Sequence, residues 1–224
     1  MSDATLERYL DTVRRELALL KGTSTRDELV ERSLPVGEGR GLLVPVCELH
    51  AVDDRLISTL ASWRAENSSA FATRFPVTSE GTKKWLRAQV LDADDRILFL
   101  VHDREGRPIG HVGLTNALNE SRSMEIDNVL RGEPSEPGLM SEALEALCRW
   151  AEDTFQPSRL YLRVLSDNEH AIDFYRRLGW TDDELQPLVS EVDGPRETLR
   201  RAREGEEADA WYLRMVHGRS KGSG

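Results

Sequence analysis

The sequence predicts a mixed α/β fold, in which helices flank a central sheet. Several short segments alternate apolar and polar residues with a period of two, as residues 160–165 do, which is typical of strands. Other segments repeat apolar residues every three or four positions, as residues 139–154 do, which is typical of helices. With 224 residues and 39% hydrophobic content, the chain can form one ordinary core with an extension.

The first predicted element is an amphipathic helix over residues 4–20. Its apolar side chains, among them Tyr9, Val13 and Leu17, share one face. That face must be covered. Three roles stay open for the helix: packing on the core, forming a homodimer contact or docking a partner.

The elements that follow alternate in type along the chain. N-cap chemistry at Thr78 begins one helix, and the turn residues at 103–107 join two strands as a hairpin. The predicted helices cover residues 26–31, 52–66, 78–90, 139–154 and 168–178. The predicted strands cover residues 41–49, 96–102, 108–116, 123–130, 160–165 and 210–216, the last after a charged stretch at 195–207.

The first apolar strand marks the expected start of the main domain. We therefore expect an N-terminal helical extension at residues 1–40, the main domain at residues 41–217 and a flexible tail at residues 218–224.

The stretch after the strand at 160–165 carries the most specific pattern. Asn168 supplies an N-cap side chain, Ala171 and Tyr175 follow on one helix face, and Gly179 stands where a left-handed residue would end the helix. These four residues therefore have a fixed mutual geometry. A plain amphipathic helix with a buried tyrosine is the alternative reading.

This N-x-x-A-x-x-x-Y-x-x-x-G-W pattern, entered from a strand, resembles the cofactor-binding end of GNAT-type N-acetyltransferases. The resemblance extends to the element order over residues 41–216. It implies a mixed, mostly antiparallel sheet of about six to seven strands, with two strands splayed at a cleft for acetyl-CoA. It also implies that Asn168 and Ala171 lie along the pantetheine arm and that Tyr175 protonates the departing thiolate as general acid.

The segment before the helix at 139–154 is the second signal. A helix start preceded by glycine offers free N–H groups and a positive dipole end, which suits a pyrophosphate. The family usually carries Q/R-x-x-G-x-G/A here, whereas the nearest frame in this chain has Ser135 and Met140 at the first and last positions. A plain turn is the alternative. The expected cofactor-binding residues of this segment are Arg131, Gly132, Pro137, Gly138, Leu139 and Met140.

The strand at 123–130 supplies the expected base. Alternation places Glu125, Asp127 and Val129 on one face, and Met124, Ile126, Asn128 and Leu130 on the other. An ammonium acceptor must lose a proton before it attacks a thioester, and Glu125 stands where many GNAT enzymes carry that base. Asp127 is a second candidate and His111 a third. The alternatives are ion pairs of these carboxylates with Arg122 or Arg163 and a core role for His111.

The resemblance implies direct transfer without an acyl-enzyme. Backbone groups of Asn128, Val129 and Leu130 are expected to bind the pantetheine and to polarise the thioester carbonyl. The sequence has no Ser-His-Asp, H-E-x-x-H or P-loop motif. We therefore expect no metal, and the resemblance implies acetyl-CoA as cosubstrate.

Composition restricts the partners. A net charge of -10 and a pI near 5.1 argue against nucleic-acid binding. The sequence has no long apolar run, no signal-peptide pattern and only two cysteines, so we expect a cytoplasmic protein that does not enter membranes.

The acidic composition favours a small-molecule amine as acceptor, such as an amino sugar, sugar nucleotide, aminoglycoside or polyamine. A protein N-terminus or lysine is the alternative acceptor. A non-catalytic acyl-CoA-binding or interaction module is the alternative from another functional class.

Overall fold

Ten strands form a single sheet in the computed structural model, which describes residues 3–218. They are Leu34–Val36 (β1), Gly41–Pro45 (β2), Thr73–Arg74 (β3), Ile97–Asp103 (β4), Pro108–Thr115 (β5), Ser123–Arg131 (β6), Arg159–Leu165 (β7), Trp180–Asp193 (β8), Arg196–Arg201 (β9) and Ala210–His217 (β10). The α-helices of this part of the chain are Asp3–Lys21 (α1), Arg26–Glu31 (α2), Asp54–Glu66 (α3), Ser79–Trp85 (α4), Leu139–Phe155 (α5) and Glu169–Arg177 (α6). Most of the expected tail at 218–224 lies outside the described residues.

The strand order across the sheet is β1-β2-β4-β5-β6-β7-β10-β8-β9-β3. Neighbours are antiparallel except β6 and β7, which run parallel. This pair is in register only where Ser123–Ile126 lies beside Arg159–Leu162, and both strands continue beyond that point. The two strands therefore splay at their carboxyl ends. This mixed, mostly antiparallel sheet with flanking helices confirms the predicted fold class.

The sheet is larger than the six to seven strands expected. Each predicted helix and strand is present, and the additional strands are β1, β3, β8 and β9. The last two form a hairpin whose outer part is mostly exposed and charged. Because no apolar alternation marks that part, the periodicity of the sequence does not reveal it.

Two hydrophobic cores lie on opposite faces of the sheet. Within β4, Ile97, Phe99 and Val101 belong to the first core, whereas Leu98 and Leu100 belong to the second. Alternate side chains of a strand point to opposite faces, so the two cores are separated by the sheet. Helices α1, α5 and α6 cover the first core, and α3 with the π-helical segment Leu86–Leu91 covers the second.

Helix α1 is an integral part of the first core. Tyr9, Val13 and Leu17 are buried there, and the Tyr9 hydroxyl donates a 2.8 Å hydrogen bond to the carbonyl of Ala117. The apolar face of α1 therefore packs on the core, which is one of the three roles that the sequence left open.

A β-bulge in β6 changes which side chains share a face. Asn128 has a φ of 52°, and the β5–β6 register shifts at this point. Leu130 consequently joins the second core, and Val129 packs against the first. The predicted placement of Val129 with Glu125, and of Leu130 with Met124, is therefore wrong, because simple alternation ignores the extra residue.

Candidate active site

The splay between β6 and β7 is the centre of the site. Helix α5 follows β6 through residues 132–138, and α6 follows β7 directly. Beyond Ile126, β6 no longer pairs with β7, so its backbone groups on that side are free of strand pairing. A ligand with amide groups can therefore hydrogen-bond along this open edge.

Helix α6 holds the motif residues in the geometry that the sequence predicts. The Asn168 side-chain oxygen accepts from the amide of Ala171 at 3.2 Å, which makes Asn168 the N-cap. Tyr175 is buried to 8% exposure, and its ring contacts Phe174 and Trp180 edge-on. The segment thus has the expected N-cap and the expected buried tyrosine.

The Tyr175 hydroxyl is suited to donate a proton. Burial raises the pKa of Tyr175 well above its ordinary value, and the negative charge of Asp127 raises it further. The hydroxyl therefore stays protonated at neutral pH. Asp127 on β6 and Tyr175 on α6 thus come from the two chain segments that flank the splay.

Glu125 is a buried member of an ion pair. Its carboxylate accepts bonds from Arg163 Nε and Nη2 at 2.8 and 2.9 Å, and its side chain is 6% exposed. Burial raises the pKa of Glu125, although the bonds from Arg163 offset part of the rise. The alternative pairing with Arg163 is thus observed, and protonation of Glu125 would disrupt this bidentate contact.

Asp127 is more accessible than Glu125. It is half-buried, and its Oδ2 accepts a 2.7 Å bond from the side-chain amide of Asn128. None of the basic residues that the structure describes forms an ion pair with it. Asp127 therefore retains capacity to accept a proton from a ligand.

His111 stabilises the bulge. Its Nδ1 lies 2.6 Å from the carbonyl oxygen of Asn128, and burial lowers the pKa of His111 to about 4. The ring is therefore neutral at pH 7, and Nδ1–H donates to this carbonyl. These contacts favour the core role for His111 over that of a base, and they engage the Asn128 carbonyl that was expected to face the cofactor.

This buried histidine should make stability fall in acid. The pKa of His111 is lower in the folded chain than the ordinary value near 6.5, so the unfolded chain binds the proton first. Its contribution is complete above pH 6.5 and is lost as the pH falls toward 4. We expect His111 to account for a loss of about 2–3 kcal/mol between pH 7.5 and 4.5. Urea unfolding across this range measures it.

The control for this prediction is His170→Gln, because His170 is exposed at the start of α6. His111→Gln should flatten the dependence of the unfolding free energy on pH, whereas His170→Gln should change it little. Equal slopes for His111→Gln and the parent would contradict the assignment.

Gly132 has a packing role rather than an anion-binding one. Its amide and that of Glu133 both donate to the carbonyl of Ile109 at 2.9 Å. A Cβ at position 132 would overlap the indole ring of Trp63, whose Nε1 bonds Glu133 at 2.9 Å. The amide of Gly132 is therefore already used within the protein, and the close approach of the ring explains the glycine.

The start of α5 agrees only in part with the expected anion loop. Gly138 has a φ of 87° and precedes the helix, but the amide of Leu139 donates to Glu136 at 3.2 Å. That amide is therefore engaged within the loop, and its contact with a phosphate stays a prediction. Arg40 bonds the Pro137 carbonyl at 2.7 Å and also pairs with Glu136 and with Glu142 in α5.

The remaining candidates of this segment differ in exposure. The side chains of Leu139 and Met140 are buried in the first core, whereas Arg131, Pro137 and Gly138 are exposed. Arg40 thus fixes the shape of the loop, while Gly138 and Arg131 remain accessible to a ligand.

A groove of about 810 Å³ lies on the sheet face that carries Glu125 and Asp127. It begins at the splay and follows β6 and β7 toward Ser123 and Arg159. Its arginines are Arg96, Arg159, Arg163, Arg201 and Arg214. Its acidic residues are Asp95, Glu125 and Asp127.

Sequence reasoning missed most of this groove. The spacing of Arg159, Tyr161 and Arg163 along β7 is a usable signal, since alternate residues share a face. Gln186 and Arg201 belong to the hairpin that the sequence did not predict.

The described residues add two findings about what the fold lacks. Between residues 3 and 218, no cluster of three or more His, Cys, Asp or Glu side chains is arranged to hold a metal ion. No helix in the same range has the length and apolar character needed to cross a membrane.

Comparison with known proteins identifies similar domains. A family model described as an acetyltransferase (GNAT) domain matches residues 43–181. A search of curated protein sequences finds no match.

Solved structures of three acetyltransferases share the fold. Ribosomal-protein-S5-alanine acetyltransferase from Vibrio fischeri has a TM-score of 0.62 and 16% identity, over 84% of this chain and 97% of that one. Spermidine N-acetyltransferase from Vibrio cholerae, in complex with CoA and spermine, has a TM-score of 0.55 and 19% identity, over 73% and 88%. FdhC, a nucleotide-linked sugar GNAT, has a TM-score of 0.58 and 12% identity, over 84% and 90%. Their names span three kinds of acceptor.

Proposed function

Since the chain belongs to the GNAT acetyltransferase family, we propose that it transfers the acetyl group of acetyl-CoA directly to a primary amine of a small molecule. One observation carries the proposal: Asp127 lies on β6 just beyond its last pair with β7, and Tyr175 lies on the helix that follows β7, so both residues flank the splay. A proton acceptor and a proton donor are thus available at one cleft. Direct acyl transfer to an ammonium substrate needs both.

The residues around the splay fit acetyl-CoA as cosubstrate. The edge of β6 beyond Ile126 can hydrogen-bond the amides of a pantetheine arm. The start of α5, with Gly138 in a left-handed conformation, offers a positive dipole end toward the pyrophosphate. We place Asn168 and Ala171 along the arm, at the start of α6, and Arg131 near the phosphates.

Asp127 is the group that we propose as base. The amine must be neutral to attack a carbonyl, and a half-buried carboxylate that pairs with no basic side chain of the described residues can take its proton directly or through water. Glu125 is the other carboxylate at this position. Because it binds Arg163 through two hydrogen bonds, Glu125 mainly positions Arg163, and we place it second to Asp127 as proton acceptor.

Tyr175 and the bulge complete the proposed chemistry. The protonated Tyr175 hydroxyl donates a proton to the sulfur as the thiolate leaves. Backbone amides at Val129 and Leu130, after the bulge, polarise the thioester carbonyl. His111 keeps the bulge in place and takes no part in proton transfer.

A thiol-release assay tests the proposed function. With acetyl-CoA and a panel of primary amines, we expect free CoA to form at a rate that depends on a small-molecule amine. Turnover on peptides but on no small amine would indicate that the acceptor is a protein. CoA binding without turnover on any amine or peptide would contradict the enzymatic proposal and favour a binding module.

The two free cysteines, Cys47 and Cys148, are both buried. We propose a cytoplasmic location, and reduced thiols are compatible with that compartment.

A further inference from the structure

We infer that the acceptor is a small amine that also carries a phosphate group, which the arginines of the groove bind. This inference rests on the proposed function and assigns its substrate class. It starts from the distribution of charge in the groove that begins at Asp127.

Two of the five groove arginines are already well paired. Arg163 holds Glu125 through two bonds, and Arg214 lies 2.7 Å from Asp183 and 3.0 Å from Glu184. Ion pairs at these distances occupy most of the charge-assisted donors. These two arginines therefore contribute mainly to the structure of the groove wall.

The other three arginines retain donors for a ligand. Among the described residues, Arg96 pairs with the neighbouring Asp95 at 3.4 Å, and Arg159 lies 3.6 Å from Asp183. Arg201 is exposed, and no acidic side chain among the described residues pairs with it. Within residues 3–218, the groove thus combines Asp127, a carboxylate outside any ion pair, with guanidinium groups that lack strong partners.

This pattern fits an acceptor with charges of both signs. An ammonium group is attracted to Asp127, and an anionic group is attracted to the arginines farther along the groove. Asp127 lies four positions after Ser123 along β6, roughly 13 Å at the usual rise of a strand. The volume of about 810 Å³ accommodates a ligand as large as a nucleotide.

Phosphate matches these groups better than a carboxylate does. A single guanidinium satisfies a carboxylate, whereas a phosphate has several oxygens that accept from more than one arginine. A free polyamine is disfavoured, because its additional cationic groups would face Arg96, Arg159 and Arg201. Among the small amines expected from the sequence, the groove therefore favours a sugar nucleotide or a phosphorylated amino sugar over a polyamine.

Matched acceptors test this inference. We expect kcat/KM for glucosamine 6-phosphate or a nucleotide-linked amino sugar to exceed that for glucosamine by at least about tenfold. A preference for glucosamine 6-phosphate indicates that the acceptor is a phosphate monoester. A preference for the nucleotide-linked amino sugar indicates a diphosphate-linked acceptor. Spermidine should have the lowest kcat/KM of the four amines. Equal or faster turnover of glucosamine or spermidine would overturn the inference.

Variants connect the preference to the groove. Arg159→Gln and Arg201→Gln should each reduce the preference for the phosphorylated amine, with the double variant approaching the kcat/KM of glucosamine. Arg149→Gln is the control, since Arg149 is exposed on α5, on the opposite side of the sheet. Thermal unfolding of each variant checks that it folds.

Binding separates this inference from the proposed function. If no amine is acetylated, calorimetry with CoA and each phosphorylated amine still tests the groove. Binding that Arg159→Gln and Arg201→Gln weaken, and Arg149→Gln does not, would support the phosphate site while the transferase proposal fails. Absence of binding, or binding that these substitutions leave unchanged, would refute the phosphate site.

Discussion

Tyr175→Phe is expected to lower kcat by about 100-fold while the affinity for acetyl-CoA stays nearly constant. The substitution removes the hydroxyl that we propose as proton donor to the departing thiolate. It keeps the ring that contacts Phe174 and Trp180, so the fold should be retained. A single-turnover measurement at saturating acetyl-CoA and acceptor isolates the chemical step from product release.

Tyr9→Phe is the matched control for this experiment. Tyr9 is also a buried tyrosine, but its hydroxyl donates to Ala117 in the first core rather than facing the splay. We expect Tyr9→Phe to reduce stability and to leave the single-turnover rate unchanged. If Tyr175→Phe reacted as fast as the parent, Tyr175 would be a packing residue without a role in proton transfer.

The second large effect is expected for Asp127→Asn. It should lower kcat/KM by at least about 100-fold near pH 6, because an amide cannot accept the proton of the ammonium group. The loss should shrink as the pH rises and more of the amine is deprotonated in solution. A profile of kcat/KM against pH for the parent and for Asp127→Asn measures this change.

Glu125→Gln provides the comparison. Replacing one member of a buried ion pair leaves the other without its partner, which costs about 3–5 kcal/mol of stability when both are fully buried. Because Arg163 is partly exposed, we expect Glu125→Gln to lower the free energy of unfolding by less than that. Its pH profile should keep the parent's shape. If Glu125→Gln, and not Asp127→Asn, lost activity mainly at low pH, the two carboxylates would exchange roles.

The order of elements could be predicted because each has a local physical signal. Residues 160–165 alternate, Asn168 caps a helix, and Tyr175 follows on its buried face. The resemblance built on these residues is confirmed by the match of the GNAT family model. Prediction worked where one element's own sequence determines its structure.

Other features depend on contacts between distant segments. Nothing near Asn128 in the sequence signals a bulge, which the side chain of His111 on the neighbouring strand helps to hold. Gly132 resembled an anion-loop glycine, but Trp63 from α3 explains it. Arg201 joins the groove only through a polar hairpin without apolar periodicity. These contacts become visible only when the sheet is assembled.

The position of β10 has a consequence for how the chain folds during synthesis. β10 lies between β7 and β8, so Ala210–His217 must be available before the sheet can extend past β7. A nascent chain that ends before residue 210 would expose the edge of β7 and leave the β8–β9 hairpin without its inner neighbour. Exposed strand edges promote aggregation, and pairings between distant segments form slowly. Chains that lack these residues should therefore aggregate more readily than the full chain.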